Sequence, residues 1–365
     1  MAGPVRLGYG PRHSNAMKPV DPSSIRRILF VRPRFLGDVC LTLPLLEAAR
    51  AACPGARVGY VLERGLAPLL SGDPRVDEVL DVPAKPSAGD TLALVRRLRS
   101  FGADLLFDCF CNPRTALWSI ASGARVRVGY PNKGWRSALY THHSRPRTLS
   151  ATGFHLASLA ALGWPVPPVP ATPRLHVGDD ARAGAGSALR DLGVSQHARL
   201  VGFHAGARWP TRRWDPENFV ALAARLLSAH ADAAALFTAG PGEEPVAREC
   251  VARLPAGRAF VVERWPLARF VALQSRCAAF VCGDTGPLHT AVASGAPTLG
   301  LLSRNRPAMF FPYPESEGHR AHWARVECSP CHRDTCDDMR CLKRLTVEGA
   351  WRLLEGMLTG TGAPR

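Results

Sequence analysis

The chain has 365 residues, of which 46% are hydrophobic and 21% are charged, and its formal net charge is +16. This composition excludes an intrinsically disordered protein, and no apolar run reaches the roughly 18 residues that a membrane-spanning helix needs. Basic residues are spread along the chain without a recognisable nucleic-acid motif, so we expect an anionic partner other than nucleic acid. The length favours two domains.

The first part of the chain alternates apolar runs with amphipathic segments. Residues 1–22 hold no apolar stretch, which predicts a disordered tail and a cytoplasmic protein rather than a secreted one. Because alternating strands and helices build doubly wound parallel sheets, we expect one such domain over residues 23–165. Its predicted strands are 28–32, 57–62, 76–80, 103–108 and 125–130, and its predicted helices are 41–50, 68–70, 91–101 and 114–122.

A proline-rich segment separates this domain from a second one. Five prolines stand within residues 164–173, which predicts an extended linker at 166–178. The alternation then restarts and predicts a second domain over 179–345, followed by a final helix at 346–358. The fold class is therefore α/β, with two Rossmann-like doubly wound domains that face each other across a cleft. The predicted strands of the second domain are 200–204, 234–238, 259–262, 278–282 and 298–302.

Asp38 is the candidate catalytic residue of the first domain. It follows Gly37 directly after the first predicted strand, and ligands of open α/β sheets bind beyond the carboxyl ends of strands. A carboxylate there can take a proton from a hydroxyl nucleophile. The alternative is an N-cap for the following helix. Arg32 and Arg34 stand nearby and could hold an acidic acceptor.

The turn at residues 283–289 is the candidate phosphate site of the second domain. A buried strand ends at Gly283, and Pro287 suits the beginning of a helix. Asp284 and Thr285 can cap that helix, and Gly286 lets the backbone approach a ligand closely. Unpaired N–H groups at such a helix start attract phosphate, whereas the alternative is an empty strand–turn–helix corner.

The loop at residues 204–214 carries a second set of candidate phosphate ligands. Arg212 and Arg213 could neutralise a diphosphate leaving group, and the Thr211 hydroxyl could add a hydrogen bond. The alternative is a solvated arginine pair between two packed tryptophans.

Two acidic residues follow the predicted strand at 234–238. A carboxylate from Glu243 or Glu244 could hydrogen-bond ribose hydroxyls at this edge of the sheet. Both residues also suit the first turn of a helix, where acidic side chains are favoured, so capping is the alternative.

Four cysteines stand close together late in the chain. Their spacing, C-x₂-C-x₄-C-x₄-C, could wrap thiolates tetrahedrally around Zn²⁺, and His332 offers a substitute ligand. A Cys₄ shell leaves no open position, so such a zinc would be structural. The alternative is a loop of reduced or disulfide-paired thiols. The four candidates are Cys328, Cys331, Cys336 and Cys341.

Two segments resemble the signatures of a known family. The patterns R-x-x-x-L-G-D-V-x-L-T-x-P at 32–44 and G-D-T-G-P-L-H-x-A at 283–291 resemble those of the ADP-heptose:lipopolysaccharide heptosyltransferases, glycosyltransferase family 9. The W-P-T-R-R-W loop at 209–214 and the cysteine cluster are also similar to this family. The resemblance implies a GT-B fold whose final helix packs back on the first domain. It also implies an inverting transfer of heptose from ADP-heptose to an inner-core sugar of lipopolysaccharide, with no cofactor required.

The resemblance also assigns roles position by position. Asp38 matches the general base that draws the proton from the acceptor hydroxyl. Asp284 matches a residue that holds the heptose, and Arg212 stands where the family commonly has a phosphate-binding lysine. The donor-binding residues that it implies all follow strands of the second sheet: Thr211, Arg212, Arg213, Glu243, Asp284, Thr285, Gly286, Pro287 and His289.

Two other functions stay open on the sequence alone. One is a family relative that uses another nucleotide-sugar, and the other is a non-catalytic nucleotide- or glycolipid-binding protein. The basic loop at 132–147 would suit phosphates or carboxylates of a lipid-linked acceptor, or it is an ordinary basic surface loop. Membrane contact would be peripheral, at the inner face of the inner membrane.

Overall fold

The computed structural model describes residues 18–331 and 333–360. Within these ranges the chain forms twelve strands and twelve α-helices. The strands are β1 (Arg27–Val31), β2 (Arg57–Glu63), β3 (Glu78–Val82), β4 (Leu105–Asp108), β5 (Val126–Gly129), β6 (His142–His143), β7 (Arg199–His204), β8 (Ala233–Ala239), β9 (Ala259–Glu263), β10 (Ala279–Gly283), β11 (Thr298–Leu302) and β12 (Arg320–Trp323). The helices are α1 (Leu36–Ala52), α2 (Ala88–Phe101), α3 (Pro113–Ala121), α4 (Ala151–Ala160), α5 (Asp179–Asp191), α6 (Pro216–Ala229), α7 (Glu244–Ala252), α8 (Leu267–Gln274), α9 (Gly286–Ala293), α10 (Pro307–Phe310), α11 (Arg340–Lys343) and α12 (Val347–Thr359).

Two six-stranded parallel sheets organise the chain. Their strand orders are β3-β2-β1-β4-β5-β6 and β12-β11-β10-β7-β8-β9. In each sheet the strand order reverses between the strands that come first and fourth along the chain, which are β1 and β4 in one sheet and β7 and β10 in the other. Open α/β sheets bind ligands at this place. The predicted α/β class with two Rossmann-like domains is therefore confirmed, and the loops after β1, β4, β7 and β10 are the ones that the topology brings to the binding crevices.

Local sequence signals explain where several helices begin and end. Ser87 and Asp90 form a reciprocal capping box at the start of α2, and Gly102 ends this helix with a left-handed backbone at φ 63°. Asn112 caps α3 in the same way, with Pro113 in its first turn. These caps fix where the polypeptide leaves β4 and enters α3, which matters for the candidate site.

The two domains meet directly at the starts of α1 and α9. A Cβ added to Gly37 would lie 2.5 Å from His289 Cδ2, and one added to Gly286 would lie 3.0 Å from Leu36 Cβ. Glycine at 37 therefore avoids a clash with the His289 ring, and glycine at 286 avoids a tight contact with Leu36. The two signature segments are therefore in contact across the interface between the domains.

The final helix packs on the second domain, so the prediction that it returns to the first domain is wrong. Ala350, Trp351 and Leu354 of α12 are buried in the core of the second sheet. On the same helix, Glu348 pairs with Arg225 of α6, and Glu355 accepts a hydrogen bond from His230 at 2.7 Å. The amphipathic pattern of α12 predicts that one face of the helix is buried, but it does not indicate which of the two sheets covers that face.

The beginning of the described chain is ordered. Val20 donates its backbone N–H to the Leu162 carbonyl at 3.0 Å, and its carbonyl accepts a hydrogen bond from the Trp164 indole at 2.7 Å. The predicted disordered tail is therefore wrong for residues 18–22, because this short segment is fixed against the first domain. Residues 1–17 of that prediction lie outside the described residues.

Candidate active site

Asp38 lies in the first turn of α1 and faces the interface between the domains. Phe35, not Asp38, occupies the N-cap position, so the capping interpretation is wrong. One carboxylate oxygen of Asp38 contacts Arg32 Nη2 at 2.8 Å, and the side chain is 31% exposed. No hydrogen bond to the other oxygen, Oδ1, is found among residues 18–331 and 333–360. That oxygen is free to accept a proton.

Arg32 is itself held by the loop after β4. Its Nη1 donates a buried hydrogen bond of 2.6 Å to the Cys109 carbonyl, and its guanidinium lies 4.7 Å from the centre of the Phe110 ring. Such a cation–π contact adds to the ion pair in holding the guanidinium plane. Arg32 therefore orients the Asp38 carboxylate and leaves one oxygen toward the cleft.

Asp108 at the end of β4 holds that loop in place. Its buried carboxylate accepts hydrogen bonds from the backbone N–H groups of Phe110 (3.0 Å) and Cys111 (2.8 Å) and from the Tyr140 hydroxyl (2.7 Å). Burial raises the pKa of Asp108, although these hydrogen bonds oppose the shift. Asp108 is thus a structural residue that fixes the support of Arg32.

His289, in α9, lies within the electrostatic influence of both Asp38 and Asp284. The side chain is buried against Gly37, and its Nδ1 has no hydrogen-bond partner in the described part of the chain. Burial lowers the pKa of His289, while the negative charges of Asp284 and Asp38 act in the opposite direction. The imidazole is therefore neutral at pH 7, and the electrostatic influence of both aspartates reaches it.

Asp284 and Arg212 form the second half of the site. The buried Asp284 side chain accepts a hydrogen bond of 2.6 Å from Asn305 Nδ2. Arg212 Nη1 donates to the Asp284 backbone carbonyl at 3.0 Å and lies 4.0 Å from its carboxylate. A Cβ on Gly283 would collide with the Arg212 carbonyl, so glycine permits the close approach of these two loops.

Thr211 and Arg213, on either side of Arg212 in the sequence, differ in burial and in the groups that they contact. Thr211 is buried, and its hydroxyl donates to the carbonyls of Arg333 (3.0 Å) and Asp334 (3.3 Å). This hydroxyl is therefore already used to attach the cysteine-rich loop. Arg213 is exposed and forms no ion pair within the described ranges. Of the two, only Arg213 has donor groups available to a ligand.

Glu243 is fixed beside the glycine turns after β7 and β8. Its Oε2 accepts hydrogen bonds from His204 Nε2 at 3.1 Å and from the Gly240 N–H at 2.9 Å, and a Cβ on Gly206 would collide with it. Burial favours a raised pKa for Glu243, but the hydrogen bond from His204 and nearby positive charge lower it overall. Glu243 is therefore an ionised acceptor at the carboxyl edge of the second sheet.

Glu244 lies outside this arrangement, in the first turn of α7. Its Oε2 accepts a hydrogen bond of 2.7 Å from the Gly242 N–H. This contact satisfies a backbone group at the beginning of the helix, as the capping alternative predicts for Glu244.

The start of α9 has no side-chain cap. Thr285 occupies the N-cap position, but its side chain makes no capping hydrogen bond. Gly286 and Pro287 follow in the first turn, and the helix runs for eight residues. Pro287 has no N–H, and the N–H groups of Thr285 and Leu288 donate to the carbonyls of Gly283 (2.8 Å) and Thr285 (3.2 Å). An anion placed here would therefore meet the Gly286 N–H and the positive end of the helix dipole.

The profile of Glycosyltransferase family 9 (heptosyltransferase) matches residues 91–341, more than half of the chain. The chain belongs to glycosyltransferase family 9. Among characterised relatives, it is 28% identical over 327 residues to lipopolysaccharide heptosyltransferase 1 of Pseudomonas aeruginosa, covering 85% of this chain and 87% of the relative. The resemblance seen in the two signature segments is thus confirmed, and the protein is a glycosyltransferase.

Solved structures of family members share its fold. A family 9 glycosyltransferase from Veillonella parvula superposes with a TM-score of 0.81 at 22% identity, over 93% of this chain and 98% of that one. The Escherichia coli heptosyltransferase WaaC with ADP-2-deoxy-2-fluoro heptose superposes with a TM-score of 0.68 at 20% identity, over 90% and 99% of the two chains. The two-domain arrangement of this family 9 glycosyltransferase is therefore the GT-B fold.

The cysteine cluster of this glycosyltransferase is gathered but does not form a metal site. All four cysteines line one cavity of about 20 Å³ together with Thr211 and Arg304. Burial and the neighbouring thiols Cys331 and Cys328 raise the pKa of Cys341. Within the described ranges, which exclude His332, no three His, Cys, Asp or Glu side chains come close enough to hold a metal ion. The predicted zinc site is thus not supported by this geometry.

Two further residues of the site, Asn305 and Arg304, follow β11 and were not predicted from the sequence. Asn305 holds Asp284, and Arg304 Nη1 donates to Asp334 Oδ1 at 2.7 Å, next to the carbonyls that bind Thr211. The signal was present, since β11 was predicted as a strand of the same sheet and its following loop had to reach the same edge.

Proposed function

We propose that this family 9 glycosyltransferase transfers heptose from ADP-heptose to an inner-core sugar of lipopolysaccharide, with inversion at the anomeric carbon. The proposal depends above all on the contact between the starts of α1 and α9, which sets His289 of one domain against Gly37 of the other and within the electrostatic influence of both Asp38 and Asp284. The Pseudomonas relative named as a lipopolysaccharide heptosyltransferase and the ADP-heptose analogue bound by the Escherichia coli WaaC protein support the choice of donor and acceptor.

The donor lies along the carboxyl edge of the second sheet in this proposal. Arg212, Arg213 and the Gly286 N–H at the start of α9 bind the diphosphate, because the two arginines carry positive charge and the helix start adds the positive end of its dipole. Glu243, held ionised by His204, accepts hydrogen bonds from the ribose. Asp284 holds the heptose.

The chemistry is a single displacement. Asp38 takes the proton from the acceptor hydroxyl, the oxygen forms a bond to the anomeric carbon, and the bond from that carbon to the ADP oxygen breaks. The electron pair leaves with ADP, whose diphosphate is stabilised by Arg212 and the α9 start. Arg32 keeps the Asp38 carboxylate in the orientation that this proton transfer requires.

The acceptor is lipid-linked and anionic in this proposal, so the enzyme works at the inner face of the inner membrane. None of the helices in the described ranges is both long and apolar enough to cross a bilayer. Contact with the membrane is therefore peripheral, and the excess of basic residues favours an anionic surface.

A screen of nucleotide-sugars tests the donor. ADP-heptose and ADP are expected to raise the apparent melting temperature, because a ligand that binds only the folded state stabilises it by mass action. UDP-sugars are expected to have no effect, and mass spectrometry should detect heptose added to a heptose-free core acceptor. Stronger stabilisation by a UDP-sugar, with transfer of that sugar, would favour the alternative of a relative with another donor.

A further inference from the structure

One region of the first domain has no acidic residue at all. Between Asp108 and Asp179 the sequence contains eight arginines and lysines and not one aspartate or glutamate. This stretch supplies half of the net charge of +16. Five of its cations form no salt bridge within the described ranges. Arg127 in β5 donates instead to the carbonyls of Leu139 and Ala124. The other four lie in or beside the loop that leads to β6: Lys133, Arg136, Arg145 and Arg147.

The same region exposes large apolar side chains. Leu117 and Ile120 of α3 are 56% and 44% exposed, and their spacing of three residues places them on one face of the helix. Trp135, in the 3₁₀ turn Gly134–Leu139, is 62% exposed. This turn packs beside α3, and a buried cluster that contains Ala116 and Tyr140 lies beneath both elements.

The turn is held in a defined shape. Ser137 Oγ donates to the Pro131 carbonyl at 2.6 Å and accepts the Lys133 N–H at 3.1 Å, while Arg136 Nε donates to the Lys133 carbonyl at 3.0 Å. Trp135 is therefore presented to the outside by an internally hydrogen-bonded turn. An exposed indole fixed in this way loses little conformational entropy when it binds to a partner.

We propose that this face docks on the surface of an anionic lipid bilayer. The docking face consists of Leu117, Ile120 and Trp135 together with the four unpaired cations named above. Indole rings prefer the boundary between headgroups and acyl chains, and juxtamembrane Lys and Arg side chains are attracted to anionic headgroups. The absence of carboxylates from residues 109–178 makes this charge complementarity one-sided, and the three apolar side chains are enough for a reversible contact.

The position of the docking face agrees with the proposed reaction, on which this inference rests for its lipid-linked acceptor. α3 begins directly after the loop whose Cys109 carbonyl holds Arg32, and Arg32 holds Asp38. A bilayer bound along α3 and the neighbouring turn would lie on the same domain as Asp38. An acceptor sugar attached to lipid could then reach the carboxylate without leaving the membrane.

Sedimentation with vesicles tests the docking face in the absence of donor and acceptor. The full chain is expected to bind vesicles of phosphatidylcholine with 30% phosphatidylglycerol at least ten-fold more strongly than vesicles of pure phosphatidylcholine. The triple variant Leu117→Gln, Ile120→Gln, Trp135→Ser should lose this binding, while Leu192→Gln, an exposed leucine of the second domain, should keep it. Thermal unfolding of each variant checks that the fold is intact.

A second arm separates this inference from the proposed reaction. The triple variant is expected to transfer heptose normally to a water-soluble core fragment and at least ten-fold more slowly to the same acceptor embedded in vesicles. If the wild-type protein binds vesicles but transfers no heptose to either acceptor, the proposed reaction is rejected and the docking-face proposal is retained. The docking-face proposal would be overturned if the triple variant bound anionic vesicles as strongly as the wild type does. It would also be overturned if the triple variant lost binding to an RNA oligonucleotide but kept its binding to vesicles.

Discussion

Asp38→Asn is expected to lower the turnover number by about 10²–10⁴-fold, the usual contribution of a general base. Asparagine has nearly the same shape as aspartate but cannot take the proton of the acceptor hydroxyl. Binding of ADP should be unchanged, because the diphosphate ligands lie on the other domain. Steady-state kinetics with a soluble acceptor and calorimetry with ADP measure the two quantities separately.

A matched control distinguishes the loss of a base from a loss of charge. Asp191→Asn removes a carboxylate at the end of α5, far along the chain from both signature segments, and is expected to leave turnover unchanged. If Asp38→Asn turns over at the wild-type rate, Asp38 has no part in proton transfer and the proposed mechanism fails. If it loses ADP binding as well, the contact between α1 and α9 has been disturbed instead.

Arg212→Gln is expected to lower kcat/KM by about 10²–10³-fold, the size of effect seen when one donor to a developing oxyanion is removed. The substitution also breaks the hydrogen bond of 3.0 Å to the Asp284 carbonyl, which joins the two loops of the donor site. Weaker binding of ADP should accompany the loss. Arg212→Lys should retain more activity than Arg212→Gln, because it keeps the positive charge but not the planar donor geometry.

The comparison for Arg212 is an exposed arginine that pairs with a carboxylate elsewhere on the same domain. Arg248 donates to Glu263 at 2.7 Å, and Arg248→Gln should leave kcat/KM unchanged because surface ion pairs contribute little. Wild-type kcat/KM and wild-type ADP affinity in Arg212→Gln would mean that the diphosphate binds to other groups, and the donor site would have to be placed elsewhere.

The fold was predictable because strands of parallel sheets are buried on both faces. The apolar runs of β1, β2 and β8 contain almost no polar residue, so their positions follow from composition alone. The missed strands lack this signal: β6 has two histidines, and β12 is half-buried with Arg320 and His322 in it. The apolar face of α12 was predictable from its sequence pattern, but the sheet that covers this face was not.

The loops that form the candidate site were predictable from the sequence, but the contacts between them were not. Asp38 follows β1 of the first sheet and Asp284 follows β10 of the second, and each strand lies where its sheet reverses order, the place at which such sheets bind ligands. The partner of Arg32 is the Cys109 carbonyl, 77 residues along the chain, and that of Thr211 is the Arg333 carbonyl, 122 residues along. Such pairs depend on how distant loops meet after folding, and no local pattern encodes them.

The glycine contact between α1 and α9 has a consequence for opening and closing. Gly37 and Gly286 let the two helix ends approach closely, and around them Ala272 of α8 and Ala293 of α9 join the hydrophobic cluster of the first domain. Separating the domains at this point would therefore expose buried apolar surface to water, at a cost of about 25 cal/mol per Å². A movement that admits a sugar nucleotide thus costs least when it pivots at this contact and keeps it closed.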